Sequence, residues 1–302
     1  MNQKPAVSLV AVPGKKARTI EFAQEIERRG FAGIYCPSMG DAMGLCQALA
    51  HTTSTIEFGT AIQPIYLRHA VDLASHAGTI HEISGGRFRL GVGVSHAPAN
   101  DRLGVDSSRP LSDIRDYVTA IQGATRQAGE LPPIVTATLR DKMLDLSLEL
   151  ADGAIWANAS LSYIRDHSVP RIPKEKRDSG FFVGNMIPTV IDDDRDAARA
   201  IHRRTLSGYV MLPNYRNYWK AAGYEEEMMA IEAALEEGNR EALPGLMSNR
   251  WLDDCTLSGS VGEVREGIEA WFEAGVTTPI MVMSSTKGGQ FAAIEELFEA
   301  FE

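Results

Sequence analysis

A repeated order of helix, glycine and short apolar strand is the strongest pattern along the chain. Gly30, Gly153 and Gly275 each come at the end of a stretch with helical periodicity and just before an apolar run. Glycine past a helix end adopts the left-handed conformation that a Cβ disfavours, so each of the three indicates a helix end. Small polar residues follow the strands, as at Ser38 and over residues 158–160. The pattern therefore predicts strand–helix units whose strands end in polar loops.

Further units of this kind fill most of the chain. Apolar runs predict strands, and apolar positions three and four residues apart predict helices. The predicted strands include residues 7–12, 33–36, 56–62, 88–94 and 134–137, and the predicted helices include residues 111–128 and 140–150. Repeated strand–helix units place the strands in parallel, and apolar strands suit a sheet covered on both faces. A count of seven or eight units predicts an α/β protein with a closed TIM-type (β/α)8 barrel rather than an open sheet.

The helix before the last strand has the clearest start signal. Ser260 is followed three residues later by Glu263, which predicts a capping box. The apolar positions of this segment recur on one face, at Val264, Ile268, Trp271 and Phe272. We therefore predict a helix with one buried stripe.

Residues 192–257 break the alternation of strands and helices. They have helical periodicity and no convincing strand, which predicts a helical insertion in one strand-to-helix connection. A separate small helical domain is the alternative. No linker rich in proline, glycine or serine marks a boundary, so the prediction is one barrel domain over residues 1–302.

Composition and charge exclude several classes of partner. The 302 residues are 44% apolar and 23% charged, as in an ordinary globular protein, and the net charge of −10 argues against nucleic-acid or anionic-membrane surfaces. The three cysteines form no Cys-x-x-Cys pair, which is typical of reduced thiols in a cytosolic protein. No apolar run has the length of a transmembrane helix, and the first one is too short for a secretory signal. We expect a cytoplasmic protein without membrane or nucleic-acid partners.

The stretch "GRFRLGVGVSH" at residues 86–96 raises the question of a dinucleotide-binding turn. A Rossmann fingerprint needs a third glycine and a helix start, but His96 and a predicted loop, "APANDRLGVD", come after the glycine pair. The Rossmann interpretation therefore fails, and two glycines placed in a strand for packing are the default alternative. Val94, Ser95 and His96 nevertheless follow a barrel strand directly, at the end where barrel active sites form.

A second candidate site is the strand-to-helix junction near residue 140. The first turn of the predicted helix contains Arg140, Asp141, Lys142 and Met143. Free N–H groups and the positive end of the helix dipole can bind an anion there, with added charge from Arg140 or Lys142. A plain helix start with solvated charges is the alternative.

The histidines and cysteines give weaker signals. His69, His76 and His81 are separated by seven and five residues, not by the four of a helical metal pair, so no metal site is predicted. Cys36 lies at a predicted strand end without a visible base, which favours a structural thiol over a reactive one.

The segment "FGTAIQPIYLRHAVDLASHAGTIHEISGGRFRLGVGVSH" resembles the luciferase-like monooxygenase family, and most closely the branch that uses the deazaflavin coenzyme F420. The matching pairs and runs are Gly59-Thr60, Arg68-His69, 84–87 and 90–93. "KMLDLSLELADGAIW" and "SGSVGEVREGIEAWFEAGV" match later segments of the family, so the resemblance covers most of the chain.

The resemblance implies a flat flavin or deazaflavin ring at the C-terminal mouth of a barrel that has a helical insertion near its C-terminus. It implies a non-proline cis peptide bond between Ala61 and Ile62 behind the ring, and His96 as the acid–base group. The cofactor phosphate would bind at Arg140, Asp141, Lys142 and Met143. Further cofactor or substrate contacts are predicted for Ser38, Gln63, Val94, Ser95 and Thr138.

The activity implied is F420-dependent hydride transfer to or from a small organic substrate, in a homodimer. An FMN-dependent monooxygenase of the same family, working with a separate flavin reductase, is one alternative. A non-catalytic barrel without a cofactor is another. Two departures from the family pattern keep the non-catalytic alternative open. Arg140-Asp141 replaces the Gly-Pro that is frequent in the family, and Pro37-Ser38 replaces a histidine or an acidic-histidine pair.

Overall fold

The computed structural model describes residues 3–302, in which strands and helices alternate. The strands are β1 (Ala6–Ser8), β2 (Gly33–Cys36), β3 (Glu57–Thr60), β4 (Gln63–Pro64), β5 (Phe88–Gly93), β6 (Ile134–Ala137), β7 (Gly153–Ala157), β8 (Phe182–Ile191), β9 (Leu257–Gly259) and β10 (Thr278–Ser284). The α-helices are α1 (Lys16–Arg28), α2 (Ala42–Thr52), α3 (Ala70–Ile83), α4 (Ala97–Arg102), α5 (Pro110–Gln122), α6 (Thr125–Ala128), α7 (Asp141–Leu150), α8 (Leu161–Tyr163), α9 (Lys174–Asp178), α10 (Arg195–Val210), α11 (Pro213–Ala221), α12 (Glu225–Glu236), α13 (Asn249–Cys255), α14 (Val261–Glu273) and α15 (Gln290–Ala300). Short 3₁₀ or π segments cover Ile65–Leu67, Ile164–Ser168, Val169–Arg171 and Arg240–Leu246.

The strands of residues 3–302 form one sheet in the order β10–β1–β2–β3–β5–β6–β7–β8–β9. In addition, β4 pairs with β5, and β10 pairs with β8. The pairing of β10 with both β1 and β8 closes a ring of eight strands, and β9 lies off that ring beside the end of β8. The fold is a TIM-type (β/α)8 barrel, as predicted.

The chain divides into two compact units. The N-terminal unit comprises residues 3–156 and Ile172–Gly184. At the N-terminal ends of its strands, the Arg89 guanidinium binds the Glu57 carboxylate at 3.0 Å and lies 5.5 Å from the Phe182 ring centre. The Tyr35 ring packs against Phe182 at 5.5 Å. These four side chains fill the end of the strands that in TIM barrels serves stability rather than catalysis.

The C-terminal unit comprises Ala157–Arg171 and Asn185–Glu302. Helices α10 to α13 lie between β8 and β9, and the rings of Trp219 and Trp251 pack edge to face among them at 4.8 Å. Ser260 and Glu263 form the predicted capping box at the start of α14. The prediction that residues 1–302 act as one domain stays a prediction.

The helices of this unit bind the segment that follows β7. The Asp254 carboxylate in α13 accepts hydrogen bonds from the hydroxyl groups of Ser160, Ser162 and Tyr224, the latter two both at 2.7 Å, and from the Ser162 N–H at 2.9 Å. Trp219 donates its indole N–H to the carbonyl oxygen of Asn158 at 3.2 Å. Helices α11 and α13, with the residue before α12, therefore fix the residues just past the end of β7.

Several element bounds differ from the prediction for physical reasons. β1 ends at Ser8 rather than at residue 12, and the predicted helix 111–128 is two helices, with Gly123 as the C-cap of the first. Pattern analysis did not predict β8. All ten of its residues are buried, so the alternation that identifies a half-exposed strand is absent, and Asn185 and Pro188 weaken its apolar run.

Candidate functional site

The third barrel strand is interrupted by a bulge. β3 ends at Thr60, the peptide bond between Ala61 and Ile62 is cis, and β4 then pairs with the last residues of β5. The Ala61 N–H donates to the carbonyl oxygen of Cys36 at 2.8 Å, and the Thr60 hydroxyl donates to that of Gly91 at 2.7 Å. The predicted cis peptide bond is confirmed.

The glycine pair of β5 makes room for this bulge. A Cβ at Gly91 would overlap the carbonyl oxygen of Thr60, and a Cβ at Gly93 would lie 2.7 Å from Cβ of Ala137 and 3.1 Å from Cδ1 of Ile62. Neither glycine has the positive φ that would itself require glycine, so their role is to permit close approach of the neighbouring strand. The Gly-x-Gly motif therefore serves strand packing around the bulge and not a dinucleotide turn.

The turn after β5 contains the predicted acid–base residue. Val94, Ser95 and His96 are all half-buried, and Ser95 has φ of 60°, which a residue with a Cβ rarely adopts. The predicted loop after His96 is wrong in one respect, because residues 97–102 form α4, with Pro98 in its first turn. Burial lowers the pKa of His96, so its imidazole is neutral at pH 7.

Asn100, which sequence analysis missed, binds this turn. Its side-chain amide donates to the carbonyl oxygen of Val94 at 2.9 Å, and its backbone N–H donates to that of His96 at 3.1 Å. Asn100 is 2% exposed. A buried asparagine in a short helix has no distinctive sequence pattern, because its partner is fixed by the path of the backbone.

The start of α7 presents the predicted anion-binding residues. Arg140, the residue before the helix, has an extended backbone, and its side chain does not cap the helix. Arg140 and Lys142 are exposed, and Asp141 and Met143 are half-buried. The first N–H groups of any helix lack partners within the helix, so this end can accept an anion. The buried Thr138 hydroxyl lies 3.1 Å from the Ser147 hydroxyl of α7, and its side chain therefore faces the helix.

The remaining predicted residues also lie at the C-terminal ends of the strands. Ser38 is exposed just past β2, and Gln63 is buried, with its amide donating to the carbonyl oxygen of Pro64 at 3.3 Å. Because β2, β3, β5 and β6 are neighbours and parallel, their C-terminal ends share one edge of the sheet. The structure thus brings all the predicted site residues to this edge of the N-terminal unit, and their binding roles stay predictions.

The other chemically active side chains are engaged elsewhere. Arg68 and His76 lie 2.9 Å apart, and burial, followed by the Arg68 charge, lowers the pKa of His76. Cys36 and Cys46 are buried, and burial raises the pKa of the Cys46 thiol. Among residues 3–302 no group of His, Cys, Asp or Glu side chains is suited to hold a metal ion. Over the same residues, no helix is both long and apolar enough to span a membrane.

Comparisons with known proteins agree with the barrel fold. A 5,10-methylenetetrahydromethanopterin reductase of Methanolobus tindarius is 24% identical over 290 residues, which cover 85% of this chain and 87% of the reductase. The structure of the coenzyme F420-dependent tetrahydromethanopterin reductase from Methanopyrus kandleri superposes with a TM-score of 0.76 at 20% identity, over 99% of this chain and 100% of that one.

An FMN-bound structure has the same fold. The oxygenating constituent of 3,6-diketocamphane monooxygenase from Pseudomonas putida, solved in complex with FMN, superposes with a TM-score of 0.64 at 15% identity, over 100% of this chain and 96% of that one. The family model for luciferase-like monooxygenases matches residues 6–278. The chain therefore belongs to the luciferase-like monooxygenase family.

Proposed function

We propose that this protein is an F420-dependent oxidoreductase that transfers a hydride to or from a small organic substrate. The observation that carries the proposal is that the interruption between β3 and β4, His96 and the first turn of α7 lie at one edge of the sheet. Such an enzyme needs three features in one place: a surface for the flat cofactor ring, a proton-transfer group and an anion site.

The residues at this edge fit a deazaflavin cofactor. The backbone of Ala61 and Ile62 would support the ring, since the neighbouring strand β5 carries no side chain at Gly91 and Gly93. Arg140 and Lys142, together with the first N–H groups of α7, would hold the phosphate. Ser38, Gln63, Val94, Ser95, Thr138, Asp141 and Met143 would complete the contacts.

Coenzyme F420, when bound, accepts or gives the hydride at its ring carbon. A side chain of the protein would accept or donate the proton that accompanies the hydride transfer. In the oxidation of an alcohol-like substrate, neutral His96 would accept the hydroxyl proton at an imidazole nitrogen as the hydride leaves the substrate carbon. In the reverse direction the imidazolium would return that proton, so charge and atoms balance in both directions.

F420 is preferred over FMN because the similar reductases from two archaea are methanopterin reductases, one of them described as F420-dependent. The FMN-bound neighbour supports FMN-dependent oxygenation with a separate flavin reductase as the second candidate. The homodimer stays a prediction, as does the cytoplasmic location.

Titration of the purified protein with F420 and with FMN, followed by cofactor absorbance and fluorescence, tests the proposal. F420 should bind at least about tenfold more tightly, a difference of about 1.4 kcal/mol. Tighter binding of FMN would replace the proposal with the monooxygenase. Binding of neither cofactor would favour the non-catalytic barrel.

A further inference from the structure

The turn that presents His96 is held in place by a residue that takes no part in the proposed chemistry. Ser95, directly before His96, has φ of 60°. A residue with a Cβ remains in this region only where its surroundings enforce it. The residues that enforce this conformation therefore fix the position of the neighbouring His96 imidazole.

Asn100 bonds to the residues on both sides of Ser95. Its side-chain amide donates to the carbonyl oxygen of Val94 at 2.9 Å, and its N–H donates to the carbonyl oxygen of His96 at 3.1 Å. Asn100 in turn accepts the N–H groups of Leu103 and Val105 at 3.0 and 3.1 Å. The asparagine thus connects the turn before α4 with the turn that ends α4.

Only the first of these four bonds depends on the asparagine side chain. The other three are backbone bonds that any residue at position 100 can make, and they suffice for the short helix. The side-chain bond fixes the direction of the Val94 carbonyl, and Val94 is the last residue before the strained Ser95. Asn100 as a whole is 2% exposed, so its side-chain bond is largely shielded from water.

We propose that Asn100 is a positioning residue, which sets the direction of the His96 imidazole at the strand edge through its bond to Val94. This role rests on the proposed function of His96. A displacement of about 1 Å at a catalytic group can cost about 10²-fold in rate, so a change at Asn100 should be visible in turnover.

A double-mutant cycle tests the proposal. Asn100→Ala should lower kcat about tenfold or more in the presence of His96, and less than about threefold in a His96→Ala background, because the two residues act as one unit. Asp101→Ala, at an exposed position of the same helix, is the matched control and should leave kcat unchanged in both backgrounds. Equal losses in both backgrounds, or no loss in either, would overturn the proposal. Asn100→Asp, which has the same shape, replaces Asn100→Ala in the cycle if the latter fails to fold.

Nuclear magnetic resonance titration of His96 in the cofactor-free protein separates this proposal from the proposed function. Release of the turn in Asn100→Ala should expose the ring and move the pKa of His96 upward toward its ordinary value, with no change in Asp101→Ala. An unchanged His96 pKa in Asn100→Ala would overturn the positioning role, whatever cofactor the wild-type protein binds. Failure of the wild type to bind F420 would instead reject the proposed function alone.

Discussion

The side chain of Ile62 lies beside Gly93 in the place where a side chain at position 93 would project. A Cβ built on Gly93 would be 3.1 Å from both Cδ1 and Cγ1 of Ile62. At Gly91, two residues earlier, the obstacle is backbone, since a Cβ would overlap the carbonyl oxygen of Thr60. The nearest obstacle at Gly93 is Cβ of Ala137, at 2.7 Å, which is bonded directly to the backbone of β6. A side chain at either glycine would therefore require a neighbouring strand to move.

Gly91→Ala should displace the bulge and destabilise the protein. Overpacking of this kind costs about 1–3 kcal/mol, and cofactor affinity should fall with it because the ring support moves. Gly208→Ala is the matched control, since Gly208 lies in α10 with nothing within 4 Å of a Cβ there. That change should be neutral or stabilise by up to about 1 kcal/mol. Urea unfolding and cofactor titration measure both effects, and equal stability of the two variants would contradict the packing role of Gly91.

His96→Ala should lower turnover by about 10²–10⁴-fold while cofactor binding is retained, because proton transfer by a placed side chain contributes that much. The low pKa of His96 keeps the wild-type imidazole neutral at pH 7, so the rate of substrate oxidation should fall only below pH 6.5. His51→Ala, at an exposed position of α2, serves as the control. Near-normal turnover in His96→Ala with an unaltered pH profile would reject the acid–base role.

Arg140→Glu should weaken binding of F420 by about 10–150-fold, because a charge-assisted hydrogen bond contributes about 1.5–3 kcal/mol. Arg126→Glu makes the same change of charge at an exposed position of α6 in the same unit, and should have little effect. Binding of a phosphate-free deazaflavin analogue to both variants should match the wild type. If Arg140→Glu binds F420 as the wild type does, the phosphate site lies elsewhere.

His202 should make the protein acid-sensitive. It is 1% exposed in α10, donates Nε2–H to the carbonyl oxygen of Leu257 at 3.0 Å, and burial lowers its pKa from 6.5 to about 4. Below pH 6.5 the unfolded chain therefore binds this proton more readily than the folded one. Stability is complete above pH 6.5 and declines as the pH falls toward 4, by about 2 kcal/mol at pH 5.

The matched variant is His202→Gln, which keeps a donor for Leu257 but does not titrate. Urea unfolding at pH 7 and pH 5 should show a loss in the wild type that exceeds the loss in the variant by about 2 kcal/mol. The same pH dependence in both proteins would show that other groups cause the acid sensitivity.

The parts of the fold that depend on local pattern could be predicted from the sequence. The barrel, most strand positions and the capping box at Ser260 follow from periodicity and helix signals. The positions of His96 and of the first turn of α7 followed from predicted strand and helix ends, whereas their roles and the cis peptide bond at Ala61 followed from family resemblance. Periodicity alone could not supply the cis bond, because that segment is fixed by distant contacts, such as the bond from the Thr60 hydroxyl to a carbonyl oxygen 31 positions away.

Other features escaped prediction for the same reason. The Glu27 carboxylate accepts the N–H groups of Ser54, Thr55 and Ile56, 27 to 29 positions later, and no local signal indicates that pairing. Asn100 and the fully buried β8 are further examples. Each depends on which segments meet in the folded chain.

The bonds from Asp254 to Ser160, Ser162 and Tyr224 have a consequence for engineering and for divergence of this protein. The helices between β8 and β9 are not an exchangeable module, because their anchor lies in another part of the chain, just after β7. A graft of residues 195–255 from a relative would leave Ser160 and Ser162 without their acceptor unless an aspartate returned at position 254. The two segments are therefore expected to be inherited and exchanged together, as one unit of variation.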